Sequence, residues 1–407
     1  MNPIGRTRIA SRLDSLRPTA VNAVLQEVRL LEAKGQSLVS LMRGQPDSPT
    51  PTHIVAAAQK ALREGRTGYP DNRGEPALRH AVAEKLLRDN GLVYDPETEI
   101  LITDGATAGL CAAIGALVQP GDDVLLPDPI YDAYHSPINL WGGRPVAVQS
   151  RIEAGRFTIG RDALEAAATP NARVLLLNSP WNPVGTMLTR EELYALMTFA
   201  SARDLTVVSD EIYEALVYDG RRHISPAKLS DDARARTVVV NSLSKTYAMT
   251  GWRVGYAVGP AQIIQAMFLV TQQWSRGPAT FVQDAAVLAL GSDQSCVAQM
   301  TAEYQARRDR VIHSLERIPG VRTLVPEGGL FVMVDARGLG RSDEEIRKFL
   351  LHEAGVVVIH GSAYGPGGSG TLRVSFAAGG QTLERGLERL RKGLEQLAAH
   401  PRRKEPG

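Results

Sequence analysis

Short β-rich runs alternate with helical patterns up to about residue 260, and no other feature of the sequence constrains the fold as strongly. Runs such as 174–177 are continuously apolar, which is typical of strands buried on both faces of a sheet. Strands that alternate with helices form a largely parallel sheet, so we predict an α/β fold. The strands are expected at 99–103, 123–126, 145–148, 173–178, 205–209, 237–241 and 254–258, with helices at 106–118, 161–168 and 190–202.

A second pattern follows, in which helical spacing runs over 262–273, 281–290 and 293–315 and strands are expected near 330–334, 356–359 and 372–376. Near its end the sequence has a stripe of leucines spaced four and three residues apart. Such a stripe is typical of an amphipathic helix packed on its own domain, although a partner-binding helix has the same spacing. We predict a large α/β domain over 47–300 and a smaller α+β domain that combines 1–46 with 301–407. The stripe consists of Leu383, Leu387, Leu390, Leu394 and Leu397.

The composition argues against several functional classes. The 46 Lys and Arg residues nearly balance the 44 Asp and Glu residues, whereas nucleic-acid-binding proteins concentrate basic charge. No segment approaches the roughly 18 consecutive apolar residues of a membrane-spanning helix. Cys111 and Cys296 have no partner at zinc-ligand spacing and cannot form a disulfide framework. We therefore predict no metal, no nucleic-acid or membrane partner, and a cytoplasmic location, because no apolar run follows the charged N-terminus.

Four predicted strands run into segments rich in polar residues and glycine. They read T-D-G-A-T at 103–107, N-S-P-W-N-P-V-G at 178–185, S-D-E-I-Y at 209–213 and N-S-L-S-K-T at 241–246. Ligands of open α/β sheets bind beyond the carboxyl ends of the strands. We therefore expect these segments to meet at one edge of the sheet and to form a ligand site.

Two ionisable residues in these segments have a specific chemistry. Lys245 follows the apolar strand 237–241, and partial burial there would favour a neutral amine that attacks a carbonyl to form a Schiff base. A solvated lysine fits the same segment. Asp210 follows the apolar run 205–208 and either caps a helix or holds the protonated pyridine nitrogen of a pyridoxal cofactor.

The segment 241–255, N-S-L-S-K-T-Y-A-M-T-G-W-R-V-G, resembles the cofactor-lysine segment of class I/II aminotransferases, which are pyridoxal-phosphate enzymes of fold type I. The bacterial aspartate aminotransferase subgroup is the most similar. Further motifs of the family occur in its order along almost the whole chain. They are G-Q-P-D from Gly44, T-G-Y ending at Tyr69, G-A-T from Gly105, P-I-Y ending at Tyr131, N-P-V-G from Asn182, S-D-E-I-Y around Asp210 and L-R-V-S around Arg373.

This resemblance implies a large domain with a mostly parallel seven-stranded sheet, a smaller α+β domain, and a homodimer whose subunits share their active sites. It implies that pyridoxal 5′-phosphate forms an internal aldimine with Lys245. The α-amino group of an L-amino acid would then pass to a 2-oxo acid by a ping-pong mechanism. A β-lyase, oxidase or cyclase on the same fold is the alternative, since such reactions also begin with removal of the α-proton.

The family's catalytic residues correspond to Lys245, Asp210 and Tyr213 of this chain. The resemblance implies that Lys245 carries a proton between the substrate α-carbon and the cofactor, and that Asp210 pairs with the pyridinium nitrogen. It implies that Asn182 and Tyr213 hydrogen-bond the 3-oxygen of the ring, on whose face Tyr131 would stack.

The cofactor phosphate is implied to lie at the start of a helix, against the backbone N–H groups of Ala106 and Thr107, where peptide dipoles favour an anion. Ser242 and Arg253 would complete this phosphate site. The hydroxyl of Tyr69 would reach it from the neighbouring subunit.

The substrate α-carboxylate is implied to bind Arg373 through a two-pronged salt bridge, helped by Asn182 and the backbone of Gly44. Thr107 stands where aspartate-preferring relatives place a lysine for a second carboxylate, so aspartate is not expected to be the main amino donor.

Two further residues bear on the substrate side chain. Trp181 either narrows the substrate entrance or packs behind its neighbours. Arg276 either anchors the substrate side chain or is an ordinary surface arginine.

Overall fold

The computed structural model of the chain describes residues 9–16 and 18–400. None of the helices formed by these residues is both long and apolar enough to cross a membrane. The strands are β1 (Val39–Ser40), β2 (Ile100–Thr103), β3 (Asp123–Asp128), β4 (Arg144–Gln149), β5 (Arg151–Glu153), β6 (Arg156–Thr158), β7 (Ala172–Asn178), β8 (Thr206–Asp210), β9 (Thr237–Ser242), β10 (Gly255–Val258), β11 (Arg322–Leu324), β12 (Phe331–Asp335), β13 (Val356–Val357), β14 (Ile359–His360) and β15 (Thr371–Ser375). The helices are α1 (Ala20–Ala33), α2 (Thr52–Arg63), α3 (Pro76–Lys85), α4 (Ala106–Leu117), α5 (His135–Leu140), α6 (Arg161–Ala167), α7 (Arg190–Ala202), α8 (Asp231–Arg236), α9 (Leu243–Thr246), α10 (Ala261–Thr271), α11 (Thr280–Gly291), α12 (Ser295–Leu315), α13 (Asp343–His352) and α14 (Gly380–Ala399).

A seven-stranded sheet of order β2-β10-β9-β8-β7-β3-β4 forms the centre of the fold. Neighbouring strands from β9 to β4 run parallel, whereas β10 is antiparallel to both β9 and β2. Every strand predicted for the first part of the chain lies in this sheet, with bounds that agree within two residues. The prediction of an α/β fold with a mostly parallel seven-stranded sheet is therefore confirmed.

Helices cover both faces of this sheet, which explains the continuously apolar strands. In β7, Val174 and Leu176 pack in the core beneath α4 and α10. The alternate residues Leu175 and Leu177 pack on the opposite face, against α7. Because side chains alternate along a strand, burial of both faces requires every position in the run to be apolar.

The C-terminal part forms a second, antiparallel sheet of order β11-β12-β15-β14. Its core includes all five leucines of the closing stripe, which α14 buries, so the helix packs on its own chain as predicted. The prediction of a single strand at 356–359 is wrong. It divides at Val358, because β13 pairs with β1 while β14 pairs with β15.

The N-terminal segment packs against C-terminal elements. Besides the pairing of β1 with β13, buried residues of α1, such as Val24 and Val28, share a core with Val357 and Ile359. The assignment of 1–46 and 301–407 to one small domain and of 47–300 to another stays a prediction. Its boundary at residue 300 falls within α12.

Candidate active site

Carboxyl ends of neighbouring strands meet at one edge of the central sheet. Asn178 ends β7 and pairs in register with Asp210, which ends β8, while Ser242 ends the adjacent β9. The helices α4 and α9 begin just beyond this edge. Together these elements surround a cavity of about 150 Å³. The residues singled out from the sequence that line it are Ala106, Thr107, Tyr131, Asn182, Asp210, Tyr213, Ser242, Lys245 and Arg253.

Lys245 lies in the short helix α9, and its Nζ donates a hydrogen bond to the carbonyl oxygen of Gly44 at 2.9 Å. Burial, together with the positive charges of Arg253 and Arg373, lowers the pKa of this amine to about 8, and the negative charge of Asp210 opposes the change. At pH 7.5 about a quarter of such amines are neutral, against about one in a thousand for an ordinary lysine. The neutral amine is the form that attacks a carbonyl carbon.

Asp210 presents a buried carboxylate to the same cavity. Its Oδ2 accepts a hydrogen bond from the hydroxyl of Tyr134 at 2.7 Å, and its Oδ1 accepts one from the backbone N–H of Ile212 at 3.2 Å. Burial raises the pKa of this carboxyl to about 6, although both hydrogen bonds oppose the rise. A nearby cation would restore the ionised form, so the site suits a protonated ring nitrogen.

Tyr134 was not singled out from the sequence. It stands three residues after Tyr131, in a 3-10 turn over Asp132–Tyr134, and the two rings meet edge to face at a centroid distance of 5.3 Å. A spacing of three residues places side chains on one face of such a turn. The spacing therefore indicates that Tyr134 lies on the same side as Tyr131, but only the tertiary structure shows that the Tyr134 hydroxyl bonds Asp210.

Two tyrosine rings border the cavity. The ring of Tyr213 is buried, and its centroid lies 6.0 Å from the Nζ of Lys245. Burial raises the pKa of both Tyr213 and Tyr131, so their hydroxyls remain protonated donors at neutral pH.

Asn178, also missed by sequence reasoning, orders the loop that carries Asn182. Its Nδ2 donates to the carbonyl oxygen of Asp210 at 2.9 Å, and its Oδ1 accepts from the backbone N–H of Asn182 at 2.7 Å. Trp181 in this loop is buried, and its indole donates to the carbonyl oxygen of Pro129 at 2.9 Å. Its ring also packs against Phe157, at a centroid distance of 6.2 Å, whereas an effect of Trp181 on the substrate entrance stays a prediction.

An anion-binding arrangement lies at the start of α4. The backbone N–H groups of its first residues, which include Ala106 and Thr107, have no partners in the preceding turn of helix. The Arg253 guanidinium lies against Gly105, where an added Cβ would stand 2.6 Å from Nη2, and Gly105 has a φ of 86°. Only glycine fits this position without strain. Ser242 completes the wall of the cavity beside Arg253.

Arg373 lies in β15 and is 2% exposed. Its Nη1 donates to the Oδ1 of Asn182 at 3.3 Å, and its Nη2 donates to the carbonyl oxygen of Met42 at 2.8 Å. The guanidinium also stacks on Phe331, at 4.0 Å from the ring centroid. Among the described residues no carboxylate forms an ion pair with it, and its Nε has no hydrogen-bond partner. A buried cation in this state is suited to an anionic ligand.

Tyr69 is not brought to the cavity within this chain, since 93% of its surface is exposed. Arg276 is exposed as well, beside Trp274, whose ring contacts Trp141 at a centroid distance of 6.4 Å. Within one subunit, neither Tyr69 nor Arg276 lines the cavity around Lys245.

A separate cluster of Glu211, Glu214 and His223 places possible metal-ligating atoms within 4.8 Å of one another. Each carboxylate has other partners in the structure. Glu214 forms an ion pair with Lys85, and Glu211 accepts hydrogen bonds from two serine hydroxyls and contacts His223 at 3.0 Å. These contacts account for the cluster without an ion.

Comparison with known proteins identifies similar chains. The family model described as aminotransferase class I and II matches residues 36–390. The aspartate aminotransferase of Geobacillus stearothermophilus is 37% identical over 396 residues, which cover 96% of this chain and 100% of that protein. The arginine–pyruvate transaminase of Pseudomonas aeruginosa is 40% identical over 357 residues, 88% of this chain and 90% of that protein. The crystal structure of the aspartate aminotransferase from Rhizobium meliloti has a TM-score of 0.92 and 34% identity, with 96% of this chain and 99% of that chain covered.

Proposed function

The chain belongs to the class I and II aminotransferases and moves an amino group from an amino acid to a 2-oxo acid, and we propose that it does so with pyridoxal 5′-phosphate in the cavity around Lys245. One observation carries this proposal. A lysine with a pKa of about 8, a buried aspartate and an anion-binding helix start line the same cavity. These groups fit the aldehyde, the ring nitrogen and the phosphate of this cofactor, respectively.

Pyridoxal phosphate, when bound, supplies an electrophilic aldehyde and a ring that withdraws electrons. We assign the chain's own residues complementary tasks. Asp210 keeps the ring nitrogen protonated, and Tyr134 holds that carboxylate in place. Lys245 binds the cofactor covalently and, once free, moves the proton of the substrate α-carbon on its Nζ. Tyr213 and Asn182 orient the ring through its 3-oxygen, and Tyr131 covers its face.

Arg373 binds the α-carboxylate of the amino donor and, in the second half-reaction, that of the 2-oxo acid. Its Nη1 donates to the Oδ1 of Asn182, which lines the cavity. Because one carboxylate site serves both substrates, the first product must leave before the second substrate binds, which gives ping-pong kinetics.

Aspartate is not proposed as the main donor. Lys245 and Arg253 are the basic side chains among the described residues that line the cofactor cavity, and both have tasks there. Thr107 offers only a neutral hydroxyl, so a second carboxylate would lack a counter-charge.

A half-reaction tests the function directly. The protein loaded with pyridoxal phosphate is mixed with single amino donors, drawn from acidic, aromatic, aliphatic and basic classes, without any 2-oxo acid. We expect one equivalent of 2-oxo acid per site and accumulation of the amine form of the cofactor, because no acceptor is present to take the amine. Release of ammonia and pyruvate without the amine form would instead establish a β-lyase.

We also propose a cytoplasmic homodimer whose subunits share their active sites. Tyr69 supports the shared site, because its side chain projects into solvent in the single subunit while the phosphate site is open to solvent at Thr107 and Arg253. The two cysteines, which form no disulfide, support the location.

Complementation of two impaired variants tests the shared site. A Lys245→Ala subunit still provides Tyr69, and a Tyr69→Phe subunit still provides Lys245. We expect the Tyr69→Phe homodimer to lose about tenfold or more in kcat/KM, because a hydrogen bond to a charged phosphate is lost. The mixed dimer should regain one site of wild-type activity, measured on dimers purified through two different tags.

The control for this experiment is Tyr194→Phe, which makes the same change at a partly exposed tyrosine of α7. It should leave kcat/KM unchanged. A mixed dimer no more active than Tyr69→Phe itself would show that Tyr69 acts within its own subunit.

A further inference from the structure

A second cavity, of about 480 Å³, lies between the start of α1, the segment from Asp132 to α5, and the turn after β14. It is close to the cofactor cavity, because Asp132 directly follows Tyr131, which lines that cavity. Its polar side chains are Ser15, Asp132, His135, Ser136, Asn139 and His360.

The two carboxylate oxygens of Asp132 differ in their hydrogen bonding. Its Oδ2 accepts a hydrogen bond from the backbone N–H of Ala20, the first residue of α1. Its Oδ1 is shielded from solvent and has no partner among the described residues. Burial raises the pKa of this carboxyl, an effect opposed by the N–H of Ala20 and the charge of Arg373. A shielded carboxylate oxygen without a donor is costly, so a ligand that brings a donor is favoured.

The titratable side chains among the described residues that line this cavity are Asp132, His135 and His360. Burial lowers the pKa of both His135 and His360, which keeps the two imidazoles neutral at neutral pH. Among the described residues that line the cavity there is no lysine or arginine. Asp132 is therefore the one charged side chain at neutral pH among the described residues that line the cavity, and a cation is the ligand complementary to it.

Arg373 connects this cavity with the reaction. Its charge acts on both Asp132 and Tyr364, and its guanidinium carbon lies 4.8 Å from the centroid of the Tyr364 ring. The backbone N–H of Ile130, two residues before Asp132, donates to the carbonyl oxygen of Tyr364 at 2.6 Å, so the segment that carries Asp132 is bonded to the residue whose ring contacts Arg373. An amino acid held by its α-carboxylate on Arg373 would therefore have its side chain near this segment. The cavity is large enough for a long, unbranched side chain.

We propose that Asp132 selects amino donors with a cationic side chain, by pairing its free Oδ1 with a guanidinium or ammonium group. The inference rests on the proposed function, since it concerns the donor of the same half-reaction. The proposed amino donors of this chain are basic amino acids, rather than dicarboxylic or aromatic ones, and arginine is the probe for them.

L-Arginine and L-citrulline provide the test, because they have nearly the same shape and differ in charge. We expect wild-type kcat/KM for arginine to exceed that for citrulline by about 30-fold or more, the usual range for a desolvated charge pair. Asp132→Asn retains an oxygen for the N–H of Ala20 but removes the charge. It should bring the ratio close to one by lowering only the arginine value.

Asp204→Asn is the matched control, since it makes the same change at a fully exposed aspartate that lines neither cavity, and it should keep the wild-type ratio. Equal kcat/KM for arginine and citrulline in the wild type would overturn the inference without any variant. So would a panel in which acidic or aromatic donors yield the amine form of the cofactor and basic donors do not, and that result would leave the proposed function intact. If no donor of any class yields the amine form, the proposed function itself fails.

Discussion

Replacing Lys245 by alanine should lower kcat by about 10⁴-fold or more with every amino donor. Lys245 is the only lysine among the described residues that line the cofactor cavity, so no neighbouring amine can take over covalent attachment or proton transfer. Turnover is measured with the best donor of the panel. The visible absorbance of added pyridoxal phosphate is recorded in parallel and should lack the band of the lysine-bound form.

The variant should remain folded. The pKa of Lys245 in the folded protein is about 8, below its ordinary value of 10.5. Below pH 8 the amine is charged in both the folded and the unfolded protein, and its burial lowers the free energy of unfolding. Above pH 10.5 the amine is neutral in both, and this cost disappears. Removing the buried amine therefore restores about 3 kcal/mol of stability below pH 8, which offsets the stability lost with the packing of the side chain. Lys392→Ala, at an exposed position of α14, is the control. Normal turnover of Lys245→Ala would overturn the assignment of the active site.

Replacing Arg373 should have the second-largest effect, a fall of about 10² to 10⁴ in kcat/KM for both the amino acid and the 2-oxo acid. The reason is that the substrate carboxylate would enter a buried site without its counter-charge. Arg373→Lys keeps a positive charge but loses the planar pair of donors, so an intermediate effect is expected. Arg373→Ala gives the full loss.

A substrate that lacks the carboxylate separates this role from a structural one. The wild type should prefer an amino acid over the corresponding decarboxylated amine, and that preference should vanish in Arg373→Ala. Arg322→Lys, at an exposed position of the same sheet, is expected to keep the wild-type preference. If Arg373→Ala retains the preference, the α-carboxylate binds elsewhere.

The central sheet could be predicted because its information is local. Continuous apolar runs such as Val174–Leu177 report burial on both faces, and the helical spacing between them reports the crossover connections. The strand expected at 356–359 shows the limit of such information. Nothing within those residues indicates that Val358 separates a pairing with β1 from a pairing with β15, because both partners are distant in the sequence.

The distinction between local sequence patterns and contacts between distant residues also applies to the active site. The motifs around Lys245, Asp210 and Arg373 identify residue types and family from short segments. Their states depend on contacts that no segment contains: Lys245 with Gly44, 201 residues away, Arg373 with Asn182, 191 residues away, and Asp210 with Tyr134, 76 residues away. Burial by these distant partners shifts the pKa values of Lys245 and Asp210, and Arg373 forms no ion pair with a carboxylate among the described residues.

The sequence by itself therefore determined the α/β fold and the aminotransferase family, and it predicted the residues of the reaction, because periodicity and motifs are properties of neighbouring residues. The tertiary structure alone decided which groups are desolvated, which hydroxyl holds Asp210, and that the Oδ1 of Asp132 has no donor among the described residues. The physical reason is that hydrogen bonding, dielectric environment and charge complementarity are properties of packed neighbours, and packing brings together residues that are far apart along the chain.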